Sequence, residues 1–168
     1  MVETRRGEGE GRTVVVDGEI LEALSALIRG GQAFDREAVA RFFDDRGWSL
    51  VSSYPFPREW RLHGVDAVYQ AGETRDSIAF ILHETDSEWG PSDEELAELS
   101  QVLADVTRQL VEGLGETFEV VEVWDGACRM TEEIDVRRFR ISSALVQTGI
   151  FVGDGVLPTM IIARLENV

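Results

Sequence analysis

The sequence predicts an α+β protein: a mostly antiparallel sheet of about six or seven strands, packed by two N-terminal helices and one long central helix, in the order α-α-β-β-β-β-α-β-β-β. Three observations carry this prediction. Two segments near the N-terminus repeat apolar residues with the helical period and stop at glycine. A longer segment in the middle does the same behind a strong helix-start signal. The stretches between and after them change to a period of two and break at turn residues. The strand-helix alternation of a doubly wound sheet is missing, and with it the crevice where such sheets bind ligands.

Residues 1–12 are charged throughout and rich in glycine, and are expected to form a flexible acidic tail ahead of a single domain spanning 13–168. Thr13 to Val16 is a short β-prone run. Asp17 can then cap a helix whose apolar stripe is Ile20, Leu21, Leu24, Leu27 and Ile28, ending at Gly30 and Gly31. Asp35 begins the second helix, with Phe34 placed to staple against Val39, Phe42 and Phe43 on the apolar face, and Gly47 just past its end.

From Trp48 the pattern turns to strands: Trp48 to Ser53, Trp60 to His63, Val65 to Gln70 and Ser77 to His83, expected as an antiparallel meander. Ser77 to Leu82 is apolar on both faces and reads as the central strand. Ser92 and Glu95 form a capping box after Pro91, and Leu96, Leu99, Val102, Leu103, Val106 and Leu110 keep helical spacing until Gly113 and Gly115. Beyond that helix, Phe118 to Trp124 and Val136 to Ser143 read as strands, followed by a hairpin of Leu145 to Val152 with Leu157 to Leu165.

The chain has 168 residues, enough for a sizeable core without staples. Its single cysteine, Cys128, excludes an internal disulfide framework and suits a reducing, cytoplasmic setting. With 32 acidic residues against 16 basic ones, the formal charge of -16 repels nucleic-acid backbones and anionic membranes. Neither nucleic acid nor membrane is expected as a partner. Every cation is arginine, which fits a GC-rich genome, because lysine codons are AT-rich.

The sequence carries little recognisable chemistry. His63 and His83 are 20 residues apart and neither has a second His, Cys or carboxylate at helical i+4 spacing, so no metal or cofactor is expected. The loop His83 to Gly90 is acidic but lacks the ligand alternation of a calcium loop. Cys128 sits beside Arg129 without a nucleophile elbow, and Gly7 to Gly11 interleaves glutamates that would repel phosphate. No catalytic residue is nominated.

Charge is the remaining signal. Asp86, Glu88, Asp93, Glu94, Glu95, Glu98 and Asp105 gather where the loop after the central strand runs into the long helix. Trp89 lies among them, either as an exposed interface anchor or folded back as a lid over the sheet. These eight residues are the candidate partner-binding site, and the partner expected is a protein with a basic surface. The oligomeric state is open.

The run Asp35-Arg-Glu-Ala-Val-Ala-Arg-Phe-Phe-Asp-Asp-Arg-Gly-Trp48, the strands after it, the long helix ending Gly113-Leu-Gly-Glu116 and the Trp124 strand resemble small acidic actinobacterial immunity-type proteins. That resemblance implies a non-enzymatic inhibitor of a basic toxin or effector. A second resemblance, to secretion-chaperone-like acidic α+β proteins, implies a chaperone or structural component of a secretion or phage-like machine. Those proteins usually close with a helix, whereas this sequence closes with the strand-like Met160 to Leu165.

Overall fold

Asp17 starts the first helix as its position predicts. Its Oδ1 accepts the Ile20 amide at 2.9 Å, and α1 runs Gly18–Gly30 with Gly31 as its cap. The computed structural model describes residues 14–31, 34–51, 59–85, 90–123, 133–153 and 157–167. Within them, the β-prone run before Asp17 forms no strand. Its described part is held instead by a side chain of the long helix: Gln109 accepts the Val16 amide at 2.8 Å and donates to the Val14 carbonyl at 2.7 Å. A primary amide carries the same donor and acceptor as a peptide group, so it can stand in for a neighbouring strand.

Helix α2, Arg36–Asp45, begins at Asp35, whose carboxylate accepts the Ala38 amide at 3.0 Å. Gly47 follows at φ +75°, the left-handed conformation that its position after the helix requires. Phe43 is the buried anchor of α2. It stacks on Trp60 with ring centroids 4.7 Å apart and meets Trp48 and Phe80 edge-on. Such pairs add to the burial of large apolar area.

The strands are β1 Ser49–Leu50, β2 Trp60–Leu62, β3 Val65–Gln70 and β4 Ser77–Thr85, then, after α3 Asp93–Gly115, β5 Val120–Glu122, β6 Glu133–Ile141, β7 Ala144–Phe151 and β8 Thr159–Asn167. They form one antiparallel sheet in the order β1-β2-β3-β4-β8-β7-β6-β5. The α+β class and the four-strand meander match expectation. The count differs: among the described residues the sheet has eight strands, because each of the four apolar runs after the long helix forms its own.

Boundaries differ too. His63 leaves β2 for a turn at φ +49°, and β6 starts at Glu133, ahead of the expected Val136. Of the run from Trp48, residues 49 and 50 pair as β1, and those from 52 lie outside the described residues, as does Trp124 beyond β5.

Among the described residues there are three helices, and all pack on one face of the sheet. Ile78, Phe80, Leu82, Ile161, Ala163 and Leu165 belong to this core with Leu24, Phe43, Leu103 and Leu110. Helices α1 and α3 approach closely: a Cβ on Gly113 would sit 2.7 Å from a Leu21 methyl. Helix α3 is tied to the sheet by a buried hydroxyl pair, Thr107 with Thr148, at 2.9 Å.

The opposite face of the central strands is buried as well, in a second cluster of Val68, Ala79, Ile81, Met160 and Ile162. This accounts for the unbroken apolar run of β4. Alternate residues serve the two clusters.

The strand order reads the same from either end. Each half is a helix followed by a four-strand meander, α2 with β1 to β4 and α3 with β5 to β8, and the halves meet at β4 and β8. No repeat is visible in the sequence, so the twofold pattern belongs to topology.

Candidate partner-binding surface

The capping box of α3 forms as expected: Ser92 Oγ accepts the Glu95 amide at 3.2 Å, and the Glu95 carboxylate accepts the Ser92 amide at 3.3 Å. Glu95 is therefore committed to starting the helix, though still exposed. Asp93, Glu94 and Glu98 are exposed around the first two turns, and among the described residues no cation pairs with them. Asp93 and Glu94 gain from the helix dipole, while Glu94 and Glu98 repel each other one turn apart.

Asp105 lies seven residues beyond Glu98, about 10 Å along the axis. Its setting is different. It is half-buried, bonded to Arg108, and accepts Gln109 Nε2 at 3.1 Å. Arg108 also reaches Glu112 at 3.4 Å, and its pKa is raised by the Asp105 hydrogen bond first and by Glu112 second. The carboxylates thus divide into an uncompensated group at the start of α3 and a compensated one further along. Asp86, Glu88 and Trp89 lie outside the described residues.

The wider charge distribution follows the layers. The three helices carry eleven carboxylates and four arginines. On the helix-free side of the sheet the register places Arg61, Arg138, Arg140 and Arg164 against Asp66, Glu84, Glu133 and Glu166. The helical layer is acidic, and the sheet face is balanced.

That balance includes a polar network which the sequence did not reveal. Arg164 of β8 donates to Glu133 of β6 at 2.5 Å and also to Gln70 of β3, and Gln147 donates to Glu133 at 3.0 Å. The Glu133 side chain is 1% exposed. Gly149 leaves the room: a Cβ there would sit 2.8 Å from Glu133 Oε2. A glycine inside a strand is the one sequence signal that could have pointed to such a close approach.

Two smaller clusters fasten edges. The Tyr69 hydroxyl is bonded to Asp76 and its pKa is pushed up to about 12, by burial first and then by that carboxylate. Asp76 is held below the usual carboxylate range by the Tyr69 hydroxyl and the Gly72 amide. Arg36 meets Glu59 at 2.7 Å, and Glu59 also accepts the Tyr69 amide at 3.2 Å, so α2 is clipped to the meander.

Neither histidine joins a metal-like group, and among the described residues no three His, Cys, Asp or Glu side chains gather as one; Cys128 lies outside them. Among the same residues, no helix is long and apolar enough to cross a membrane. No protein family, curated protein or solved structure matches this chain.

Proposed function

We propose that this protein is a non-enzymatic binding module that recognises a basic surface on another protein through its acidic helical layer, in the manner of an immunity-type inhibitor. The observation that carries the reading is the uncompensated set Asp93, Glu94 and Glu98 at the exposed start of α3, within a layer where carboxylates outnumber arginines eleven to four. Excess charge of one sign costs stability by self-repulsion, and it speeds encounter with a partner of opposite sign. The described edge strands, β1 of two residues and β5 of three, offer a short template for strand addition. That weighs toward recognition by the helices and away from a sheet-extending assembly role.

The test is affinity capture with the wild type and with a Glu94→Arg/Glu98→Arg double variant. A basic protein retained by the wild type, released by salt and lost by the variant is the expected result. Retention unaffected by the reversal, or no basic protein captured at all, overturns the reading.

A further inference from the structure

The β2–β3 turn is tied to the first turn of α1 through one imidazole. His63 Nδ1 lies 2.8 Å from Asp17 Oδ2, and Nε2 lies 3.8 Å from Glu19 Oε2. A neutral imidazole can donate from one nitrogen only, whereas the imidazolium donates from both. The arrangement, a ring nitrogen facing a carboxylate on each side, is complete only when His63 is protonated. Asp17 is also the cap of α1, so one carboxylate serves the Ile20 amide with one oxygen and His63 with the other.

A groove of about 370 Å³ opens beside this contact, lined by Gly18, Glu19, Glu22, Arg46, Trp48 and Leu62. Leu62 ends β2 just before His63, and Gly18 and Glu19 belong to the α1 turn that His63 grips. The contact therefore joins two walls of the groove.

We propose that His63 is a pH-dependent latch that holds the β2–β3 turn against the α1 N-terminus and sets the width of the adjoining groove. The inference stands apart from the partner reading. The charges facing the latch are Asp17, the cap of α1, and Glu19 of α1, while Glu22 of α1, bound at 3.4 Å to Arg46 just after α2, lines the groove with it. Arg61, the nearest cation on the β2–β3 hairpin, is bound to Asp66 at 2.5 Å. The positive end of α1 opposes the imidazolium, and the two carboxylates outweigh it.

The direction of the effect follows from these contacts. The Asp17 hydrogen bond raises the His63 pKa above 6.5, desolvation partly opposes this, and Glu19 adds to it. For Asp17, burial favours the neutral form, but the Ile20 amide and His63 outweigh it and lower the pKa below 3.8. A raised histidine pKa makes the stabilisation full below pH 6.5 and removes it as pH rises through the folded value. At the acid end it is lost as pH falls through the lowered value for Asp17. Because the groups are largely exposed, salt weakens the latch.

The experiment is an NMR titration of the full chain from about pH 5 to pH 8, following the His63 ring and the Ile20 and Gly64 amides. Two variants accompany the wild type. Asp17→Ser keeps an N-cap but removes the charge, and His63→Asn removes the imidazole while tolerating a left-handed backbone. The expected result is a shared midpoint above 6.5 for ring and amides, a ring midpoint that moves toward 6.5 in Asp17→Ser, and amides that no longer titrate in His63→Asn. A ring midpoint at or below 6.5, or amides that do not follow the ring in the wild type, overturns the latch.

Discussion

The two halves of the sheet share a topology and differ in how they are filled. The first half, α2 with β1 to β4, is held by aromatic rings: a helix of 10 residues reaches the sheet through Phe43, which touches Trp48, Trp60 and Phe80. The second half, α3 with β5 to β8, has a helix of 23 residues that buries Leu99, Leu103, Val106, Leu110 and Leu114, with Thr107 bonded beneath it. A short helix presents few side chains, so each must cover more area. A long one can distribute the same task over aliphatic residues and still place a hydroxyl in the core. Similar topologies can therefore be stabilised by unlike chemistry, and the two should fail differently.

The largest effect is expected in the aromatic half. Phe43→Ala removes the ring on which three others converge, and should cost about 3–5 kcal/mol in urea unfolding, with a change in the emission of Trp48 and Trp60. A comparable cost is expected at the network that spans both halves. Arg164→Met leaves Glu133 buried without its cation, at about 3–5 kcal/mol, while Arg164→Met combined with Glu133→Gln should recover most of the loss. Failure of the double variant to recover would mean that Arg164 acts through packing.

A smaller loss, about 1–3 kcal/mol, is expected for Thr107→Val, because it leaves the Thr148 hydroxyl buried without its partner. Adding Thr148→Val should restore part of it. The smallest effect belongs to the surface: Glu94→Arg/Glu98→Arg should change unfolding by less than about 0.5 kcal/mol per site, in contrast to its effect on partner capture. If Thr107→Val proved as damaging as Phe43→Ala, the contrast between the halves would not hold.

Much of this architecture was legible from the residues. Local signals fixed the helices: Asp17, Asp35 and Ser92 cap where they were expected to, and Gly31 and Gly47 stop what they were expected to stop. The apolar run from Ile78 to Leu82 identified the central strand because burial on both faces suppresses alternation. What stayed hidden depends on contacts remote in sequence. Nothing near Glu133 indicates that it will meet Arg164, and Gln109 as a substitute strand for Val14 and Val16 has no local signature.

The candidate site was legible in part. Composition and spacing placed Asp93, Glu94 and Glu98 together at the start of α3, where they are exposed. Spacing also marked Glu95 for the capping box, which forms, but it did not show that Asp105 would be held by Arg108 and Gln109. Asp17 with His63 went unnoticed because a cap and a turn residue do not attract attention separately; only the fold brings them to 2.8 Å.

The pairing of β4 with β8 bears on how the chain comes to be folded. In a chain made from its N-terminus, β4 emerges with β3 on one side and nothing on the other until β8, the last strand described, follows. During that interval a strand with the unbroken apolar run Ile78 to Leu82 offers an open hydrogen-bonding edge, the kind that invites association between nascent chains. Closure across so long a loop is slow, because its entropy is lost before the contact forms. The seam at the middle of the finished sheet is thus the step at which folding and aggregation compete, and a strong negative charge on the growing chain would help keep its copies apart.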